Sequence, residues 1–302
     1  MFQSFAEIIA AAQRQERVKI AVAAAADADV LTAVQEAKKA GIADAILVGD
    51  TAAIGEICQQ QGIDCGMFEM EHVPDVRMAA RRAAELVRQG TAQVLMKGLV
   101  GTADFMRAVL NKSEGLGTGE LLSHVVVFEA SGYDRLMVIT DPAINIAPDV
   151  PQKVQIIKNA LQVTTALGNK EPRVAMLAAV ETVTASMKAT EEAALIAKMA
   201  ERGQIKGCRI DGPLALDNAV SVAEAKHKGI GGEVAGKADV LVVPNIEAGN
   251  IFYKTLVYFA NTPLAGIVIG AAAPVVLTSR SDSPQTKLNS IALAVVVSRA
   301  KR

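Results

Sequence analysis

Short apolar runs alternate along the chain with stretches whose apolar residues recur at helical spacing. Apolar runs at 18–26, 45–48, 94–97, 123–129, 136–140, 174–180, 239–244 and 266–277 predict buried strands, with shorter strands within 66–73 and at 208–211. Between them, a period near 3.6 predicts helices over 2–14, 29–40, 51–60, 75–89, 102–110, 149–167, 190–202, 216–226, 250–259 and 285–298. In 29–40 the stripe is Val30, Leu31, Val34 and Ala37, and Gly41 suits the C-cap. Asp149 and Pro151 open the long helix over 149–167. The runs at 123–129 and 136–140 lie close enough for a hairpin-like pair. Strand alternating with helix is the signature of α/β layers with mostly parallel sheets. The pattern restarts after Asp141-Pro142 with no Pro-, Gly- or Ser-rich linker. It therefore predicts two α/β/α lobes with a cleft between them.

The 302 residues suffice for two domains. The apolar 51% is mostly Ala, Val, Ile and Leu, which suits sheets covered on both faces. Lys and Arg number 31 against 32 Asp and Glu, so no basic excess draws in nucleic acid or an anionic membrane. The longest apolar runs contain Gly or Pro and are too short to span a bilayer. The first residues lack a basic leader and read as helix. Cys58, Cys65 and Cys208 have no metal or redox spacing, which predicts three reduced thiols in a cytoplasmic protein.

The richest chemistry lies near the end, in Pro274-Val275-Val276-Leu277-Thr278-Ser279-Arg280-Ser281-Asp282-Ser283-Pro284. Strand gives way to a hydroxyl-rich loop, then to a helix with Ser283 as N-cap and Pro284 in the first turn. Ligands of open α/β sheets sit at such strand ends, and helix starts offer N–H groups to anions. A polar turn with a local Arg–Asp pair accounts for the loop equally well. A second strand–turn–helix unit runs Met96-Lys97-Gly98-Leu99-Val100-Gly101-Thr102 through Arg107. Its glycines permit close backbone approach, and Thr102 can meet a phosphate. An ordinary turn followed by a solvated Arg107 is the plainer reading. Polar strand ends recur at Asp141 to Asn145, at Asp211-Gly212-Pro213 and at Asn245 to Asn250, where turn chemistry is again the alternative.

Other motifs fail. Gly231-Gly232-Glu233-Val234-Ala235-Gly236-Lys237 lacks the hydroxyl of a P-loop at Ala238 and precedes a strand instead of following one. No GxSxG or GxGxxG occurs, and His72, His124 and His227 are scattered. Nothing in the pattern clusters carboxylates with histidines for a metal.

Lys97-Gly98-Leu99-Val100 through Arg107, Ser123-His124-Val125, residues 140–148, Asp211-Gly212-Pro213-Leu214, residues 244–254 and residues 274–280 stand in the order and form of one family. Across nearly its full length the chain resembles the phosphate acetyl/butyryltransferases. Asn145-Ile146-Ala147-Pro148-Asp149 looks more like the butyryl branch than the acetyl branch. The resemblance implies an isocitrate-dehydrogenase-like fold, with residues 139–279 inserted in a lobe made of 1–138 and 280–302. It also implies an inter-lobe active site, a homodimer or higher homo-oligomer, and reversible conversion of butyryl-CoA, or a similar short acyl-CoA, and phosphate to acyl phosphate and CoA.

The family's Ser–Arg pair matches Ser279-Arg280, and its helix arginine matches Arg107. The acetyl branch carries a catalytic Asp where this sequence has Thr286. Asp282 is the loop's only carboxylate, and Asp141 is the other candidate base beside water or phosphate itself. The expected site is thus Ser279, Arg280 and Asp282 for catalysis, with Lys97, Gly101, Thr102, Arg107, Asp141, Asn145 and Asn250 binding phosphate and substrate. Coenzyme A enters as substrate or product, and the chemistry calls for no metal or redox cofactor. Alternatives are phosphate acetyltransferase activity, a metal- and NAD-dependent dehydrogenase of similar fold, and a non-catalytic acyl-CoA-binding protein.

Overall fold

The computed structural model describes residues 1–279 and 282–300. In chain order the elements are α1 (Phe5–Gln13), β1 (Val18–Ala23), α2 (Ala28–Lys39), β2 (Ala43–Gly49), α3 (Thr51–Gln61), β3 (Glu69–His72), α4 (Val76–Arg88), β4 (Val94–Lys97) and α5 (Thr102–Val109). Then come β5 (Ser123–Glu129), β6 (Leu136–Thr140), α6 (Val150–Ala166), β7 (Arg173–Leu177), α7 (Lys188–Glu201), β8 (Arg209–Leu214), α8 (Leu216–Val220), α9 (Val222–His227), β9 (Val240–Val242) and α10 (Ile246–Tyr258). The chain closes with β10 (Leu264–Ile269), β11 (Val275–Val276) and α11 (Pro284–Ala300).

Two compact units result. One joins residues 5–120 to the segment from Leu264 on; the other is residues 121–263 with Met1 to Ser4. In the first, the strands run β3-β2-β1-β4-β11-β10, parallel except for the antiparallel β10–β11 pair. In the second the order is β5-β6-β9-β7-β8, with β5 antiparallel to β6 and the rest parallel. The pattern puts a crossing near Asp141-Pro142, and the resemblance implies an insertion over 139–279; the compact units of the structure divide at 120/121 and 263/264. Pairing is the reason. β6 lies against β9 and takes β5 with it, whereas β10 is tied through β11 to β4.

Local chemistry explains the helix starts. Asp27, Asp50, Asp75 and Asn245 accept backbone N–H bonds at the first turns of α2, α3, α4 and α10, and Asp149 makes a full capping box with Gln152 on α6. Every residue of α11 from Asn289 to Val297 is buried, so this helix is apolar on nearly all sides.

Three expectations need correction. The run at 266–277 is not one strand. Gly270 takes a φ of 104° and Pro274 has no N–H, so the chain turns back and makes β10 and β11 an antiparallel pair. Residues 216–226 are two short helices, because Ser221 ends α8 and caps α9. Cys58 and Cys65 form a disulfide between the last turn of α3 and the short 3-10 turn after it, with Cα atoms 6.0 Å apart. Spacing along the sequence did not show that the chain folds back there. Cys208 stays free and buried.

In the inserted unit, Asp239 lies just before β9 and is only 2% exposed. It accepts from Arg173 at the backbone N (2.8 Å), Nε (3.0 Å) and Nη2 (3.0 Å), and it pairs with Arg135 Nε at 3.1 Å. That cluster fastens the starts of β7 and β9.

Candidate active site

Strand β4 is buried throughout and ends in Lys97, itself 5% exposed. A strand of Val, Leu and Met fits the sheet interior; a lysine at its end does so only because its ammonium finds oxygen, here Gly98 O at 3.3 Å. The turn then crosses the end of β1. Gly98 N donates to Ala23 O (2.9 Å) and Leu99 N to Ala24 O (2.7 Å). A Cβ at position 98 would lie 2.3 Å from Ala24 O, so only glycine fits. Gly101 is the N-cap of α5 and brings no side-chain capping bond, which leaves the N–H groups of that first turn for a ligand.

Strand β11 runs parallel to β4, with Val276 opposite Met96. This register sets the loop after β11 beside the turn after β4. Lys97, Val100, Thr102, Thr278 and Ser279 together line a cavity of about 320 Å³. The loop is held by its own bonds: Ser279 N donates to Asp282 Oδ2 at 2.6 Å, and Asp282 N donates to Ser279 O at 3.2 Å. Ser283 Oγ accepts from Thr286 N and so caps α11. Arg280 lies outside the described residues.

Arg107 is not among the residues lining that cavity. Its side chain is 71% exposed and is ion-paired with Asp104, which also takes Arg77 Nε at 3.2 Å. Glu-or-Asp to Arg pairing three residues apart is ordinary helix-surface chemistry.

The remaining expected residues stand together in the inserted unit. Asp141, at the end of β6, accepts from the backbone N of Ala143, Ile144 and Asn145 and from Asn145 Nδ2 at 2.6 Å. Asn145 Nδ2 also donates to Leu122 O, and Asn250 Nδ2 donates to Pro142 O at 3.3 Å. Gly249 lets α10 lie directly on this turn, since a Cβ there would be 2.8 Å from Pro142 Cα.

In the first unit, hydrogen bonds to Glu71 and Glu85 raise Arg82; the other shifted groups among the described residues lie in the inserted unit. Burial pushes Glu192 up, but hydrogen bonds from Lys153 and Lys188 outweigh it and hold the carboxyl below its usual range. Burial, with Glu171 nearby, pushes the Cys208 thiol up to about 11. Sequence reasoning passed over Lys287, whose buried ammonium donates to the Asp282 carbonyl. The available signal was a lone lysine beside Leu288 at the start of an apolar helix.

The sequence model of the phosphate acetyl/butaryl transferase family matches residues 4–76 and 73–295. This chain belongs to the phosphate acetyl/butaryl transferase family. Among relatives in that family, phosphate butyryltransferase of Clostridium acetobutylicum is 52% identical over 301 residues, covering 100% of both chains. Phosphate butyryltransferase of Clostridium beijerinckii is 51% identical over 297 residues, 98% of each. Of solved structures, a branched-chain phosphotransacylase from Enterococcus faecalis V583 superposes with a TM-score of 0.82 at 30% identity, covering 93% of this chain and 99% of that one. The fold of the phosphate acetyl/butaryl transferases is thus the two-unit α/β arrangement described above.

Proposed function

We propose that the chain transfers a butyryl group, or a similarly short acyl group, reversibly between coenzyme A and phosphate. The observation that carries this is the 52% identity, end to end, with a phosphate butyryltransferase. The cavity between Lys97, Thr102 and Ser279 supports it chemically. A phosphate oxygen attacks the thioester carbonyl, a C–O bond forms, the C–S bond breaks, and CoA departs as thiolate and takes up a proton. No covalent enzyme intermediate is needed. The Ser279 hydroxyl is assigned to the carbonyl oxygen, where negative charge grows. Lys97, Gly101, Thr102 and the start of α5 are assigned to phosphate. Arg280 and Arg107 are assigned to the same anion, Arg107 after exchanging Asp104 for it. Asp141, Asn145 and Asn250 shape the substrate-binding turn of the inserted unit.

The proton needs an acceptor in the reverse direction, when the CoA thiol attacks acyl phosphate. Asp141 already accepts four hydrogen bonds and Asp282 holds the Ser279 N–H. We assign the proton to the departing phosphate and the two carboxylates to holding their loops. No metal or redox group enters this scheme. Among the described residues no three His, Cys, Asp or Glu side chains stand close enough to hold an ion.

Phosphate-dependent release of CoA from butyryl-CoA, followed with a thiol reagent and no added metal, tests the assignment. The expected result is turnover on butyryl-CoA; no thiol release with any C2 to C5 acyl-CoA sinks it. Arg107→Ala is expected to raise the phosphate KM or lower kcat, with only partial rescue by Lys, which lacks the forked contact. Unchanged kinetics would leave Arg107 as a surface partner of Asp104.

We place the enzyme in the cytoplasm as a homodimer. No helix among the described residues is long and apolar enough to cross a membrane. Support for the dimer comes from α10, where Ile251, Tyr258 and the following Phe259 are exposed on one face at helical spacing. A monomer mass by sedimentation would refute it.

A further inference from the structure

We infer that Lys287 is a positioning residue for acyl transfer, its buried ammonium fixing the loop that presents Ser279; this rests on the function proposed above. Lys287 lies in the first turn of α11 and is 2% exposed. Helix packing does not call for it there. An ammonium is costly to take out of water, and a positive charge near a helix N-terminus opposes the helix dipole. A leucine or methionine would fill the same space without either cost. What the ammonium gains is the carbonyl oxygen of Asp282, to which Nζ donates, and the carboxylate of Asp29 in the first turn of α2 at 3.7 Å.

The connection to Ser279 is short. Asp282 holds both backbone polar groups of Ser279, taking its N–H on Oδ2 at 2.6 Å and giving its own N–H to the Ser279 carbonyl at 3.2 Å. Lys287 in turn holds the carbonyl of Asp282. α11 packs against α2 and β10, so this bond ties the loop to a packed layer of the unit. Ser279 then meets the cavity it shares with Lys97 and Thr102 from a fixed backbone. Small errors in the placement of such a donor cost far more in rate than in binding.

Lys287→Met, close in length and without charge, tests this alongside Lys287→Arg in the full-length protein. For K287M the expected kcat is about 10–10²-fold lower, with KM for butyryl-CoA and phosphate nearly unchanged, and K287R recovers part of the loss. Hydrogen exchange gives a readout independent of turnover. The amides of Ser279 and Asp282 are expected to exchange faster in K287M while those of 291–297 keep their protection. Wild-type kcat in K287M, or exchange accelerated equally along α11, overturns the inference. If K287M does not fold, Lys287→Gln is read in its place by the same kinetic and exchange criteria. Failure of the wild-type protein to turn over any short acyl-CoA removes the functional reading, and the exchange comparison still decides whether Lys287 holds the loop.

Discussion

Ser279→Ala is expected to lower kcat by about 10²–10³-fold, the usual cost of losing one donor to a developing oxyanion. The substitution removes only the hydroxyl. The Ser279 N–H bond to Asp282 and the return bond to the Ser279 carbonyl are made by the backbone and survive. The melting temperature should therefore stay near that of the wild type, and KM should move little. A kcat within threefold of wild type would take Ser279 out of the reaction. Asp282→Asn is the companion variant. Asparagine keeps an oxygen for the Ser279 N–H, so a brace tolerates the change, whereas a general base would lose about 10²-fold or more in kcat.

The second large effect is on stability. Asp239→Ala is expected to destabilise the inserted unit by about 3–5 kcal/mol, because it strands partly buried charges. Asp239 is 2% exposed, and the side chains of Arg173 and Arg135 are 34% and 19% exposed. Removing the carboxylate leaves two guanidinium groups facing each other with the Arg173 N–H unmet. For a unit of this size the melting temperature should fall by roughly 10 °C or more. A shift below about 2 °C in calorimetry would mean that water replaces the carboxylate without loss. Activity per folded molecule should change little in the same variant.

Local pattern carried much of this architecture. Apolar runs such as 94–97 and 136–140 became β4 and β6 with the expected bounds, and Asp149 with Pro151 opened α6. Where the pattern failed, the deciding forces were non-local. Residues 265–277 are apolar almost throughout, and such a run does not announce where it turns; only Gly270 and Pro274 marked the break. The unit boundary after Glu120 follows from β6 pairing with β9, which lies far along the sequence.

The candidate site was legible to a similar degree. Lys97, Thr102 and Ser279 were named from their strand ends, and the β4–β11 register brought them to one cavity. Arg107 was named too; it stands outside that cavity, ion-paired with Asp104 three residues before it. Asp141 and Asp282 were named as candidate bases; their partners, which a sequence does not show, include loop N–H groups. Lys287 was passed over because a lone lysine at a helix start is ordinarily solvated, and its sequence does not show the Asp282 carbonyl it meets.

The discontinuity of the first unit also sets the order in which a newly made chain can mature. Translation runs from the amino end, and contiguous domains tend to fold as they emerge. The inserted unit is complete once Pro263 has cleared the ribosome. Its host is not, because β11 must still enter beside β4, and α11 must still cover α1 and α2. Until then one edge of β4, all of it apolar up to Lys97, has no neighbour. A chain arrested before residue 275 would keep that edge open and would offer it to other nascent chains, the condition under which sheets aggregate. Ser279 is translated inside this same final segment. The molecule therefore receives Ser279 and closes its sheet in one late event, and a truncated product lacks both.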